Sequence, residues 1–318
     1  MKFSFSLGTV GDGAGHALWY WNGLSEMLGV CGYDGLEIPF QAWSFNGGRG
    51  SAPVCAEAIR TKFGSVGAYE DFLRGCGIRE GLSGLHITAQ NVLTTMLEYN
   101  VPIDRFFDRV LELTEETAQV LLEAGAKDLI FSPSPSYAMF AGLFGGDEER
   151  YTARITETIV KMAEIAAGKG LTLSLRNEFY GIYRGGKICA LLDKLPQSVC
   201  YSPDTAQLFI ARADAAALIE KYPGRLAAVK LCDTFFEDKV DCWRSRLPES
   251  PQEGESQRVY CTFGNGSVDL DGIFAALVKV GYNGWVVLES KRAFNTEKAM
   301  MLMQVYRRKH FDPVLTEV

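Results

Sequence analysis

Short apolar runs rich in β-branched and aromatic residues alternate along the chain with longer stretches whose apolar residues follow the helical period. The runs at 2–7, 35–39, 84–88, 128–132, 172–176, 199–203, 227–231 and 285–289 read as strands. The stretches at 17–30, 103–124, 148–168, 187–195, 213–222, 271–280 and 296–309, with a weaker one at 54–62, read as helices. Within 103–124, Phe106, Val110, Leu113, Thr117, Val120 and Leu121 fall on one face, and Arg105, Asp108, Glu112 and Glu116 on another. Almost wholly apolar strands belong in a parallel sheet covered on both faces. Eight such strand-helix units predict an α/β architecture, a (β/α)8 TIM barrel that takes residues 1–318 as one domain.

Glycine marks several helix-to-strand turns, at Gly32, Gly125, Gly170 and Gly281, where a left-handed residue ends a helix without steric cost. The segments after strands are longer, at 41–51, 134–146, 179–186 and above all an insertion at about 235–266. In a barrel the loops after the strands build the active site, so the insertion predicts a lid or a partner surface.

The ends of four consecutive strands carry the informative polar residues: Arg176-Asn177-Glu178, Asp204-Thr205-Ala206-Gln207, Lys230-Leu231-Cys232-Asp233 and Glu289-Ser290. A lone carboxylate after a strand is most often a helix cap, but Glu178, Asp204 and Glu289 in register on neighbouring strands repel one another and call for a balancing cation or proton. A divalent metal, the Lys230 ammonium, or protons on the carboxyls would each answer, and oxygen ligands suit Mg²⁺ or Mn²⁺. His86 ends the third strand and is a further acid–base candidate. Trp19, Trp43, Phe179, Tyr180, Phe236 and Trp243 place aromatic rings near the mouth, where the apolar faces of sugars stack.

Charge and composition narrow the classes. With 39 acidic against 32 basic residues, a net charge of −7 and no basic block, a nucleic-acid partner is excluded as an expectation. The start of the chain lacks a secretory pattern and no apolar run is long enough to span a bilayer, so a cytoplasmic location without a membrane is expected. The eight cysteines form no C-x-x-C pair, which argues for free thiols. The glycines at 8–15 do not match the dinucleotide fingerprint, so no nicotinamide site is expected.

The strand-end residues resemble those of the xylose isomerase-like superfamily, which includes ketose 3-epimerases, inositol-catabolism dehydratases and isomerases, and endonuclease IV. In the ketose 3-epimerases the matching motifs supply Glu, Asp, His and Glu as metal ligands, and the two glutamates act as acid and base on opposite faces of the substrate. The resemblance implies a sugar isomerase or epimerase with Glu178 and Glu289 as the acid–base pair, assisted by His86 and Lys230. It implies a divalent ion, Mn²⁺ ahead of Mg²⁺ or Co²⁺, on Glu178, Asp204 and Glu289; the residues at the mouth add Arg176, Gln207, Trp19 and Tyr180 as candidate substrate contacts, with Arg176 as readily orienting Glu178 or pairing with an acidic residue. Two departures stand out: Lys230 replaces the usual histidine ligand, which opens a metal-free alternative, and Gln207 replaces the histidine that often follows the Asp. A second reading is a lyase that cleaves a 3-oxo C-glycoside by elimination, similar to the catalytic subunits of C-glycoside deglycosidases. The implied partners are a sugar or glycoside and an oligomer, either of this chain alone or with a small β-rich subunit.

Overall fold

The structure, a computed structural model, describes residues 1–10, 18–40, 55–245 and 259–316, and for residues 18–20 the backbone alone. Eight parallel strands form one sheet: β1 (Lys2–Ser6), β2 (Gly35–Pro39), β3 (Leu82–Thr88), β4 (Asp128–Ser132), β5 (Thr172–Leu175), β6 (Cys200–Tyr201), β7 (Val229–Cys232) and β8 (Trp285–Glu289). Their order is β6-β5-β4-β3-β2-β1-β8-β7, and parallel bridges Tyr201↔Leu226 and Asp204↔Lys230 join the two ends. Lys230 N donates to Pro203 O at 2.8 Å across that seam. The sheet therefore curls into the barrel that the alternation predicted.

The helices are α1 (Leu18–Cys31), α2 (Ala56–Phe63), α3 (Val66–Gly75), α4 (Ala89–Glu98), α5 (Phe106–Ala124), α6 (Tyr137–Phe144), α7 (Glu148–Gly168), α8 (Lys187–Leu192), α9 (Thr205–Ile210), α10 (Ala215–Lys221), α11 (Leu270–Lys279), α12 (Thr296–Tyr306) and α13 (Asp312–Thr316). All six residues assigned to the apolar face of α5 are buried. Gly125 ends α5 at φ 70°, and Gly32, Gly170 and Gly281 are also left-handed, at 85°, 69° and 68°. The core lies between strands and helices, with Phe3, Phe5, Leu36, Leu85, Leu129, Leu173, Leu231 and Leu288 all buried.

Some boundaries differ from those that periodicity suggests. Strand six, expected over 199–203, shrinks to Cys200–Tyr201, because Pro203 has no N–H and the Asn177 amide takes over the pairing beyond it. Asn177 Nδ2 donates to Asp204 O and accepts from Asp204 N at Oδ1, both at 3.2 Å. Helices α3, α4, α6, α9 and α13 were not apparent from the pattern, since short helices give little periodic signal. Thr88 and Asp204 are strand-end residues that also cap the next helix: Thr88 accepts from Asn91 N at 3.0 Å and Asp204 from Gln207 N at 3.2 Å. Where 296–309 was expected as one helix, α12 stops at Tyr306 and a π turn (Arg307–Phe311) leads into α13.

Candidate active site

Side chains alternate across a strand, so every second residue of each barrel strand points to the interior. At the carboxyl end of this barrel the interior row is polar: Ser6, Glu37, His86, Ser132, Arg176, Ser202, Lys230 and Glu289. All eight are buried and joined by hydrogen bonds and ion pairs.

Glu37 is the anchor. Arg176 Nη1 and Nη2 grip its two oxygens at 2.8 and 2.7 Å, the bidentate geometry in which a guanidinium matches a carboxylate. Lys230 Nζ meets the same Glu37 Oε1 at 2.7 Å, then Glu289 Oε2 at 3.2 Å and Ser6 Oγ at 3.2 Å. The first two contacts are ion pairs and the third is a hydrogen bond. Ser6 Oγ donates in turn to Glu289 Oε1 at 3.0 Å, and the Gly8 backbone packs so closely there that a Cβ would overlap that oxygen.

Glu178 is held on its other side. Ser132 Oγ donates to Oε1 at 3.1 Å, and Gln207 Nε2 donates to Oε2 at 2.6 Å and to Tyr260 OH at 2.9 Å. Gln207 Oε1 accepts from Phe179 N at 2.8 Å, so the amide orientation is fixed at both ends. His86 Nε2 lies 2.8 Å from Ser132 Oγ and its Nδ1 3.5 Å from Arg176 Nη1. A guanidinium can only donate, which assigns the hydrogen of a neutral His86 to Nε2 and directs the chain from His86 through Ser132 to Glu178.

The charges nearly balance. Glu37, Glu178, Asp204 and Glu289 face Arg176, Lys230 and Lys291, four carboxyls against three cations. Burial would raise Glu37, but Arg176 and Lys230 outweigh it and hold that carboxyl well below its usual range. Burial raises Glu178 to about 7, with Asp204 adding to the effect and Lys291 opposing it. Burial also raises Asp204, against the pull of Lys230. The His86 imidazole is pushed well below its ordinary value, first by burial and then by Arg176 and Lys230, and is neutral. Burial alone would lower Lys230, but Glu289 and Glu37 raise it, and the ammonium stays charged.

Of the residues singled out from sequence, Glu178, Asp204, Glu289, Lys230, His86, Arg176 and Gln207 come together here. Arg176 was expected to bind substrate, to orient Glu178 or to pair with an acidic residue, and the structure shows the pair with Glu37. It is fully buried, with its terminal nitrogens on Glu37 and Ser202 (2.8 Å), so it is placed to orient the site from below. Gln207 is likewise buried and engaged by protein groups. Asp204 Oδ1 caps α9, the commonest task of a carboxylate in that position. Tyr180 is buried in an aromatic cluster with Phe179, Trp243 and Tyr260, into which both described ends of the 235–266 insertion fold. The Trp19 side chain, Trp43 and insertion residues 246–258 lie outside what the structure describes.

Glu37, Ser132, Tyr260 and Lys291 were missed. Glu37 had a legible signal, a charge between Leu36 and Ile38 inside an apolar strand. Ser132 and Tyr260 look unremarkable in sequence. Lys291 lies 5.0 Å over the Tyr260 ring and acts on Glu178 and Asp204 by charge, two residues beyond Glu289.

The implied metal can be tested against these donors. Among the described residues no group of three His, Cys, Asp or Glu side chains is arranged to hold an ion. Both oxygens of Glu289 and both of Glu178 already accept hydrogen bonds or ion pairs. A charged Lys230 occupies the space between Glu37 and Glu289. This donor set does not fit a divalent cation.

Among known proteins, a family model described as xylose isomerase-like TIM barrel matches residues 31–307. An inosose dehydratase from Bacillus velezensis is 25% identical over 154 residues, 46% of this chain and 48% of that protein. The chain thus aligns to about half the length of that curated relative. A crystal structure of D-allulose 3-epimerase from Methylomonas sp. in complex with D-allulose superposes with a TM-score of 0.65 at 16% identity, covering 98% of this chain and 97% of that one. A structure of IolI protein with a bound zinc atom gives 0.67 at 15% identity, covering 98% and 100%. At such identities these structures share the fold.

Proposed function

The chain belongs to the xylose isomerase-like TIM barrel family, and on that footing we propose that it is a sugar-modifying enzyme that shifts a proton next to a sugar carbonyl, as an isomerase or epimerase. The observation that carries this reading is Glu178. It is a buried carboxyl with both oxygens oriented and an affinity for protons raised to about 7, so it can both take and return a proton near neutrality.

In this reading the ionised Glu178 takes a proton from the carbon beside the carbonyl, and the electron pair moves onto the carbonyl oxygen to give an enediolate. The positive charge of Lys230, fixed before the substrate arrives, stabilises that oxygen. Glu289 stands on β8, separated from β5 by β6 and β7; since it rests in an ion pair with Lys230, it first takes up a proton from solvent at Oε2 and then delivers it from its own side, while Glu178 releases the proton it took. Delivery to the same carbon inverts it, and delivery to the neighbouring carbon isomerises the sugar. Arg176, Gln207, Ser132 and His86 orient the acid–base groups. At the edge of the aromatic cluster, the partly buried rings of Tyr137 and Phe236 would meet the apolar side of a sugar or an aryl group.

The inosose dehydratase relatives favour a second outcome of the same first step. If the carbon next to the enolised one carries a leaving group, the electron pair expels it instead of being reprotonated. A 3-oxo C-glycoside losing its aglycone belongs to this class. Proton NMR in D₂O with a panel of ketoses and 3-oxo glycosides separates the outcomes. Deuterium entering recovered or epimerised sugar supports the isomerase reading, and release of water or aglycone supports elimination. Exchange that survives in both Glu178→Gln and Glu289→Gln would overturn the site assignment.

A further inference from the structure

We propose that the Lys230 ammonium is the built-in cation of this site and holds the place of a divalent ion, so that the protein works without a bound metal. The proposal deepens the reading above, because it names what polarises the carbonyl. It stands on geometry. Lys230 Nζ sits between the two carboxylates, in ion pairs with Glu37 Oε1 at 2.7 Å and Glu289 Oε2 at 3.2 Å and in a hydrogen bond to Ser6 Oγ at 3.2 Å, and so occupies the position between them that a second cation would need.

The support beneath it is equally committed. Glu37 cannot turn away to ligate an ion without releasing the two-pronged Arg176 contact, and Arg176 is fully buried, so the released guanidinium would stand unpaired. Glu289 cannot offer Oε1, because Ser6 Oγ bonds it and the Gly8 backbone closes over it. Together with Lys230, Arg176 and Lys291 already bring three positive charges to four carboxyls, and a divalent ion would overshoot that balance. A carbonyl oxygen entering the site competes for the donor now given to Ser6, the one uncharged acceptor of the three. Glu37 and Arg176 are positioning residues in this scheme, since they act through Lys230.

Metal binding tests the idea without reference to turnover. The full-length protein is stripped with chelator, incubated with MnCl₂ or ZnCl₂, desalted, and assayed by plasma mass spectrometry, with thermal melting in the same buffers. The wild type is expected to retain below about 0.1 ion per chain and to melt at the same temperature with and without metal. Lys230→His, which exchanges the ammonium for an imidazole ligand, is expected to take up about one ion per chain and to melt higher with metal. A wild type that retains roughly one ion per chain, and loses it in Glu289→Gln, overturns the proposal. So does a folded Lys230→His that stays empty. If Lys230→His does not fold, the wild-type stoichiometry decides alone. The two readings fail separately: stoichiometric metal with sugar exchange leaves the proposed function standing, and a metal-free chain without exchange on any ketose leaves the built-in cation standing.

Discussion

Glu37 and Arg176 form a fully buried ion pair with two parallel contacts of 2.8 and 2.7 Å, and Lys230 rests on the same carboxylate. One acid thus carries two cations beneath the mouth of the barrel. Removing it should be far more damaging than removing a surface pair. Glu37→Gln is predicted to lower the unfolding free energy by about 3–5 kcal/mol, because it strands two buried charges. Glu37→Met combined with Arg176→Met should cost less than the single change. Urea unfolding of the three proteins checks this, and a near-neutral Glu37→Gln would show that the pair is not the foundation described.

Glu178→Gln should reduce turnover by about 100- to 10,000-fold while leaving the melting temperature unchanged or higher, since a buried carboxyl is replaced by a neutral isostere. As a base Glu178 works when ionised, so kcat/KM in the wild type should rise as pH increases through about 7. A profile flat from pH 5 to 9 would remove Glu178 from the role of base (roughly two units either side of that midpoint).

Ser132 donates to Glu178 Oε1 and so favours its ionised form. In Ser132→Ala the acid limb of the same profile should move to higher pH, with kcat falling by roughly tenfold from poorer orientation. Lost activity with an unmoved profile would point to a packing defect instead.

At the opposite end of the barrel Glu70 is buried, and burial raises its carboxyl to about 7. Its Oε1 accepts from Leu82 N at 3.3 Å, while Oε2 has no hydrogen-bond partner among the described residues and Arg74 stays 3.8 Å away. The folded protein therefore holds this proton more tightly than the unfolded chain. Stability should fall as pH rises from the unfolded value near 4.5 towards 7, and level off above. Glu70→Gln should remove that slope and gain roughly 1–3 kcal/mol at pH 8 but nothing at pH 4. Parallel melting curves at the two pH values decide it.

Asp233 accepts from the backbone of Thr234, Gly264, Gly266 and Val268, at 2.9, 3.0, 2.7 and 3.2 Å, and so ties the end of the insertion to β7. Gly266 packs so closely that a Cβ would overlap this carboxylate. Asp233→Ala should cost roughly 2 kcal/mol or more and open the 259–268 segment to limited proteolysis. Unchanged cleavage would mean that the segment is held elsewhere.

Much of this protein was determined by its sequence alone. The alternation of apolar runs and amphipathic stretches specified eight strand-helix units, because burial on both faces of a parallel sheet imposes a local pattern. Glu178, Asp204, Lys230 and Glu289 were visible as polar residues that end such runs, and the left-handed glycines at Gly32, Gly125, Gly170 and Gly281 were visible from their place after helices. The tertiary structure decided which charges meet. Glu37 and Arg176 are 139 positions apart, Ser6 and Glu289 are 283 apart, and no local pattern couples residues over such distances. Closure of the barrel puts them in one layer. There Arg176 turns towards Glu37, Gln207 is committed to Glu178, and Lys230 fills the space between two carboxylates. Electrostatic balance is a property of that enclosed volume, which forms when all eight strands are in place.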